Sequence, residues 1–257
     1  MILLYHHVAP VEAVPAVWDH GEGWEWRHSP EGFERQLVEL RRRGYQFVPL
    51  CEIVDEIRER GREEPMSAAV TFDDGWVDNF DFAFPVLKKL SLPATFFVTT
   101  AHVRGGVKNP KQMGLDQLSE MIRSGMSVGG HSRSHPDLRN LPVEKASEEI
   151  RGCREDLEQA LGVSIRLFAY PGGAFNRQVA RLTEEAGYSA ACSVLGPRRN
   201  DRSSLFWLYR DLLTEPMNAW GDRYRLSPTA RCLLSFRITL RLKRQLVDDP
   251  DSLSYRG

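Results

Sequence analysis

The feature that most limits how this chain can fold is a repeated exchange of two periodicities. β-type apolar runs over 2–5, 46–50, 68–72, 94–99, 126–128, 166–170, 188–194 and 206–212 alternate with segments spaced for helices over 51–60, 79–90, 115–123, 143–161 and 177–186. Phe33, Leu37 and Leu40 mark a further helix, which opens on Ser29-Pro30 and closes at Gly44. Strands that alternate with helices predict a parallel sheet with helical crossovers, either open or closed into a barrel. In both forms ligands gather at the carboxyl ends of the strands. The residues that end each run are therefore the ones to inspect.

Composition narrows the function classes. The chain has 257 residues, a formal net charge of −1, 42% hydrophobic and 27% charged residues. These values suit a globular domain with a sizeable core and speak against a nucleic-acid partner. Cys51, Cys153, Cys192 and Cys232 form no CxxC pair and read as reduced, mostly buried thiols. The apolar start Ile2-Leu3-Leu4-Tyr5 is too short for a signal peptide and lacks a basic flank. No run reaches the ~20 apolar residues of a membrane span. The expectation is a cytoplasmic protein.

The run 68–72 ends in Asp73-Asp74-Gly75. Neighbouring strand residues normally face opposite ways, and a turn at Gly75 can relax that rule. Two adjacent carboxylates are costly unless positive charge sits beside them. A metal ion would serve, held by one acid while the other stays available as a base. An Asp-Gly turn alone would also explain the pattern. The balance shifts with Gly130-His131-Ser132-Arg133-Ser134-His135-Pro136, which follows another strand. Two histidines four apart plus an aspartate form a common divalent-metal set with positions left open. The glutamate of an HExxH helix is absent. His6 and Gly172 also follow strands, so the pattern brings all these positions to one rim.

Thr71-Phe72-Asp73-Asp74-Gly75 with His131-Ser132-Arg133-Ser134-His135-Pro136 resembles the polysaccharide deacetylases of carbohydrate esterase family 4. Phe168-Ala169-Tyr170-Pro171-Gly172-Gly173 is similar to that family's proline-glycine motif. The resemblance spans roughly residues 1–212. It implies an α/β fold, a distorted (β/α) barrel of about seven strand-helix units, and Zn²⁺-dependent (or other divalent-metal-dependent) removal of acetyl from an N-acetylated sugar. By position it implies Asp73 as general base, Asp74, His131 and His135 as metal ligands, and the backbone N–H of Gly172 as oxyanion donor. The chain departs from the common pattern in three ways. No histidine follows His135, Ala169 stands where an arginine usually precedes the proline motif, and the usual tryptophan-bearing motif is not evident. In the circularly permuted branch of poly-N-acetylglucosamine deacetylases, a Tyr-His pair opens the domain, and Tyr5-His6 matches it. His6 is then the acid for the leaving amine, with His7 as the other candidate. Arg210, in the last run, is a candidate replacement for the missing arginine through a pair with Asp73.

Three expectations concern the remaining segments. The aromatic-rich stretch carrying Trp18, Trp24 and Trp26 reads as a loop that either stacks on sugar rings or packs as a lid. Residues 1–226 read as the catalytic barrel, and residues 227–257 as a basic C-terminal helix and tail opening on Ser227-Pro228. The tail is expected to dock on the barrel, with peripheral membrane contact through 228–247 as the sharper alternative. The function expected is hydrolysis of N-acetyl groups on an N-acetylhexosamine glycan or its precursor. The alternatives are deacylation of another amide or an O-acetyl ester, or a sugar-binding protein without turnover.

Overall fold

The structure, a computed structural model, describes residues 1–10, 27–101, 111–195 and 200–213. All of them lie within the compact unit Met1–Glu215. The described elements are β1 (Ile2–Tyr5), β2 (His7–Val8), β3 (Arg27–His28), α1 (Pro30–Arg42), β4 (Gln46–Phe47), α2 (Leu50–Arg60), β5 (Ser67–Phe72), α3 (Phe84–Leu90), β6 (Ala94–Val98), α4 (Leu115–Arg123), β7 (Ser127–Gly130), α5 (Val143–Leu161), β8 (Leu167–Ala169), α6 (Arg177–Glu185), β9 (Ala190–Ser193), β10 (Leu208–Tyr209) and β11 (Asp211–Leu212). The Ser29 side chain caps α1 by accepting from Gly32 N at 3.0 Å, as the Ser-Pro signature predicts. The expected strand at 46–50 is shorter, because Leu50 already begins α2.

Every pairing in the main sheet is parallel, in the order β10-β9-β8-β7-β6-β5-β1-β11, with β4 added beside the start of β5. β10 and β11 are consecutive in the chain, and Arg210 alone separates them. The segment pairs with β9 through Leu208↔Cys192 and with β1 through Leu3↔Asp211. The eight strands of that path, with β10 and β11 counted once, therefore make a nearly closed barrel of seven. The seam lies at Arg210.

The strands β1, β5, β6, β8 and β9 are buried at every position. That is the mark of parallel strands covered on both faces, and it explains their continuous rather than alternating apolar runs. One core cluster joins Ile53, Val54 and Ile57 of α2 to Ile2, Ala69, Phe97, Leu167 and Cys192. Cys51, Cys153 and Cys192 are free thiols, and Cys232 lies outside the described residues. No described helix is long and apolar enough to cross a membrane.

Candidate metal and catalytic site

The site is built on the carboxyl ends of β1, β5, β7 and β8. After Phe72 the chain turns sharply: Asp74 and Gly75 both have φ of 71°. The sequence suggests a turn at Gly75 that relaxes the strand alternation. The structure puts the first left-handed residue one position earlier, at Asp74, where a non-glycine residue carries strain. Ser132 (φ 62°) and His135 (φ 60°) share this conformation. Backbone strain thus falls on residues that carry or support the donor atoms.

Asp74 Oδ1 lies 3.3 Å from His131 Nε2 and 3.3 Å from His135 Nε2. Donor atoms held ~2.0–2.2 Å from a tetrahedral ion are ~3.3–3.6 Å apart, so both separations suit a shared cation. All three donor atoms lie within 4.8 Å of one another, and among the described residues this is the cluster able to hold a metal ion. His131 Nδ1 is 2.7 Å from the carbonyl of Ala169 on β8. A carbonyl only accepts, so Nδ1 carries a proton there, which leaves Nε2 as the nitrogen that faces Asp74 and would bind a cation. Burial alone would raise the Asp74 carboxyl, but hydrogen bonds from His131 and His135 hold it well below the usual carboxylate range. Burial works against a charged His135, and its bond to Asp74 reverses the sign and raises it. One carboxylate and two imidazoles thus fit a divalent transition metal such as zinc, with coordination positions left over.

Asp73 is buried and takes a different partner. Arg210 donates to its two oxygens from Nη1 at 2.7 Å and from Nη2 at 2.6 Å. This fork-to-fork geometry fixes the carboxylate plane. Nη1 also reaches Thr71 Oγ1 at 3.3 Å, and the guanidinium lies over the Phe97 ring at 5.5 Å. Burial works against ionisation of Asp73, and the Arg210 charge overcomes it and lowers the carboxyl. The candidate pair read from the sequence is present, and Arg210 is among the largest fully buried side chains. Adjacent carboxylates therefore differ in role by partner: Asp74 faces imidazoles and Asp73 faces a guanidinium.

His6 lies between β1 and β2 and is half-buried. Burial lowers its imidazole, while Asp74 and Asp73 pull it the other way, so it sits within electrostatic reach of both carboxylates. Asn79 Nδ2 donates to the His6 carbonyl at 2.8 Å, which pins the backbone there. His7 points elsewhere. Its Nδ1 lies 2.9 Å from Asp78 Oδ2, and its ring packs against Trp76 at 4.9 Å. Gly172 has φ of 61° and is exposed between the buried Pro171 and Gly173 of its turn, three residues beyond the Ala169 carbonyl that touches His131.

The 131–136 loop is strapped to α5. Arg133 forms a two-point pair with Asp156 at 2.8 and 3.0 Å, and Gly152 leaves room for its guanidinium. Ser134 N and Oγ both donate to Glu149, at 2.8 and 2.7 Å. His135 N donates to Ser132 Oγ at 2.9 Å, which helps hold its left-handed turn. Sequence reading missed these braces, and it missed Trp76, Asp78 and Gln112. Trp76 donates from Nε1 to Asp74 Oδ2 at 3.0 Å, and Gln112 Nε2 donates to the Asp74 carbonyl at 3.0 Å. An indole directly after an Asp-Gly turn was the one available signal, since position i+2 of a turn can fold back on position i. The tryptophan-bearing loop (Trp18, Trp24, Trp26) and the tail 228–257 lie outside the described residues.

A family model described as polysaccharide deacetylase matches residues 60–191. The solved Streptococcus pyogenes deacetylase PplD, in complex with acetate, is 25% identical with a TM-score of 0.72, over 84% of this chain and 93% of that one. IcaB from Ammonifex degensii is 25% identical with a TM-score of 0.69, over 91% of this chain and 94% of that one. A poly-β-1,6-N-acetyl-D-glucosamine N-deacetylase of Staphylococcus epidermidis is 28% identical over 165 residues, 60% of this chain and 57% of its own length. The first curated relatives are longer proteins, of which the chain spans between 37% and 61%.

Proposed function

Because this chain belongs to the polysaccharide deacetylase family, we propose that it hydrolyses N-acetyl groups on a glycan of N-acetylhexosamine units, with Asp74, His131 and His135 holding a divalent metal. The observation that carries the reading is the division of labour between neighbouring acids. Asp74 Oδ1 shares its position with two imidazoles, and Asp73 is held apart by Arg210. A divalent cation bound there would polarise the acetyl carbonyl and favour ionisation of water. Asp73, kept ionised and oriented by Arg210, takes the proton of the attacking water. The Gly172 N–H donates to the oxyanion as the carbonyl carbon becomes tetrahedral. His6 passes a proton to the amine as the C–N bond breaks, so acetate and a free amino sugar leave. The named activity of the staphylococcal relative favours a β-1,6-linked N-acetylglucosamine polymer as first substrate to test. A binding protein without turnover drew its support from the arginine missing before the proline motif and from the missing late histidine; the Arg210–Asp73 pair answers the first, and the His6→Ala test below addresses the second.

The test is acetate release from N-acetylglucosamine oligomers of different linkage. Release should need the metal, stop on chelation and resume when zinc is returned. Asp73→Asn should abolish turnover with metal binding retained, and His6→Ala should cut kcat by about 10²–10⁴-fold. Full turnover in His6→Ala would remove the acid assignment. Glycan binding by the metal-loaded protein with no acetate formed would sink the enzyme reading.

A further inference from the structure

The Asp74 carboxylate has two oxygens with different environments. Oδ1 faces the two imidazoles, while Oδ2 accepts the Trp76 indole N–H at 3.0 Å. An indole N–H is a donor only, so Oδ2 is the acceptor in this contact. The indole is itself braced. His7 packs against it with ring centroids 4.9 Å apart and an interplanar angle of 30°. His7 in turn is bound to buried Asp78 at 2.9 Å. On the other side, Trp76 bridges Gln112 through an antiparallel backbone pair, and the Gln112 amide bonds the Asp74 carbonyl at 3.0 Å and Thr99 Oγ1 at 3.1 Å. These contacts hold both the left-handed backbone of Asp74 and the rotation of its carboxylate.

From this we infer that Trp76 is a positioning residue that holds Asp74 as a one-oxygen ligand, with His7, Asp78 and Gln112 as its braces. The inference rests on the metal reading above and deepens it. A carboxylate free to rotate would offer both oxygens to a cation, or turn away from it, and each alternative costs the preorganised arrangement. The indole N–H removes that freedom before the ion arrives. Outer contacts of this kind typically change metal affinity 10–100-fold when removed.

The experiment titrates metal-free, full-length protein with Zn²⁺ against a chromophoric chelator. Wild type, Trp76→Phe and His131→Ala are compared, with urea unfolding of each metal-free form. Trp76→Phe keeps a ring against His7 and loses the N–H. Its Kd for zinc should rise about 10–100-fold, while its metal-free urea midpoint stays close to wild type. An isosteric variant with benzothienylalanine at position 76, which replaces N–H by sulfur, should match it and covers the case in which Trp76→Phe folds poorly. With cobalt in place of zinc, a change in the visible absorption of these variants should report altered coordination. Zinc affinity within twofold of wild type in both position-76 variants would overturn the inference. Wild type and His131→Ala binding zinc equally weakly would instead overturn the metal reading.

Discussion

Arg210 shows how one side chain can link stability to chemistry. It is fully buried, and its charge is balanced by Asp73 at 2.6 and 2.7 Å. A buried pair contributes little net stability, but removing one partner strands the other. Arg210→Met should therefore cost roughly 3–5 kcal/mol at neutral pH, read from urea denaturation. The pH dependence has a definite sign. In the wild type the Asp73 carboxyl lies below its ordinary value, so its contribution is present above the unfolded pKa of ~3.9 and is lost as pH falls through the folded value. In the variant the Arg210 charge and hydrogen bonds are gone, and burial, opposed only by His131 and His6, pushes that carboxyl up, so the deficit should shrink as the pH approaches ~4 and Asp73 protonates. The same shift should move the acid limb of the pH–rate profile to higher pH. A deficit that does not change between pH 7 and pH 4 would show that Asp73 is not the group involved.

At the scale of elements, β7 is shaped by what must pass close to it. A Cβ at Gly130 would lie 2.4 Å from Tyr188 Oη and 3.2 Å from Cys153 Sγ; one at Gly129 would lie 2.5 Å from the Phe97 ring and 2.9 Å from the Leu167 carbonyl. The Tyr188 hydroxyl cannot simply move, because it donates to Ile150 O of α5 at 3.2 Å. β7 can therefore sit between β6 and β8, with α5 against it, only if both positions lack side chains. Gly130→Ala should lower unfolding free energy by roughly 1–3 kcal/mol and weaken metal binding through the adjoining His131. Thermal denaturation and zinc titration check the two effects separately. The stretch before α3 is another departure from simple patterning. Residues 79–90 read as one helix, yet Asn79–Ala83 winds as a π-helical turn before Phe84–Leu90 becomes regular. Wide turns of this kind occur often beside functional sites, and here the turn presents Asn79 to the His6 carbonyl.

For the molecule as a whole, the barrel and the site depend on each other. The matched family span, residues 60–191, omits β1 and the closing segment β10–β11. Without them β5 loses its β1 partner, Asp73 loses Arg210, and His6 is gone. A fragment of residues 60–191 should accordingly show no cooperative urea transition by circular dichroism, whereas the unit Met1–Glu215 should show one. A fragment that unfolds cooperatively would mean that the seam is dispensable for folding.

The order of residues alone was enough to specify the alternation of strands and helices, and with it the parallel sheet and the strand ends at Asp73, Asp74, His131 and Gly172. These are local properties, set by periodicity and by where apolar runs stop. The Asp73–Arg210 pair was also within reach, because a buried acid needs a positive partner and an arginine stands in the closing run. Other features came only with the tertiary structure. The electrostatic reach of His6 to the carboxylates and the bond of His7 to Asp78 depend on side-chain direction at an irregular strand end. Left-handed Asp74, Ser132 and His135 hold conformations that their own preferences disfavour and that neighbours such as Gln112 and Ser132 Oγ stabilise. The indole N–H on Asp74 Oδ2 needs the rotamers of both residues and the packing of His7 behind them. Periodicity reports which face a residue occupies, whereas donor geometry is decided by contacts between distant segments once the barrel closes.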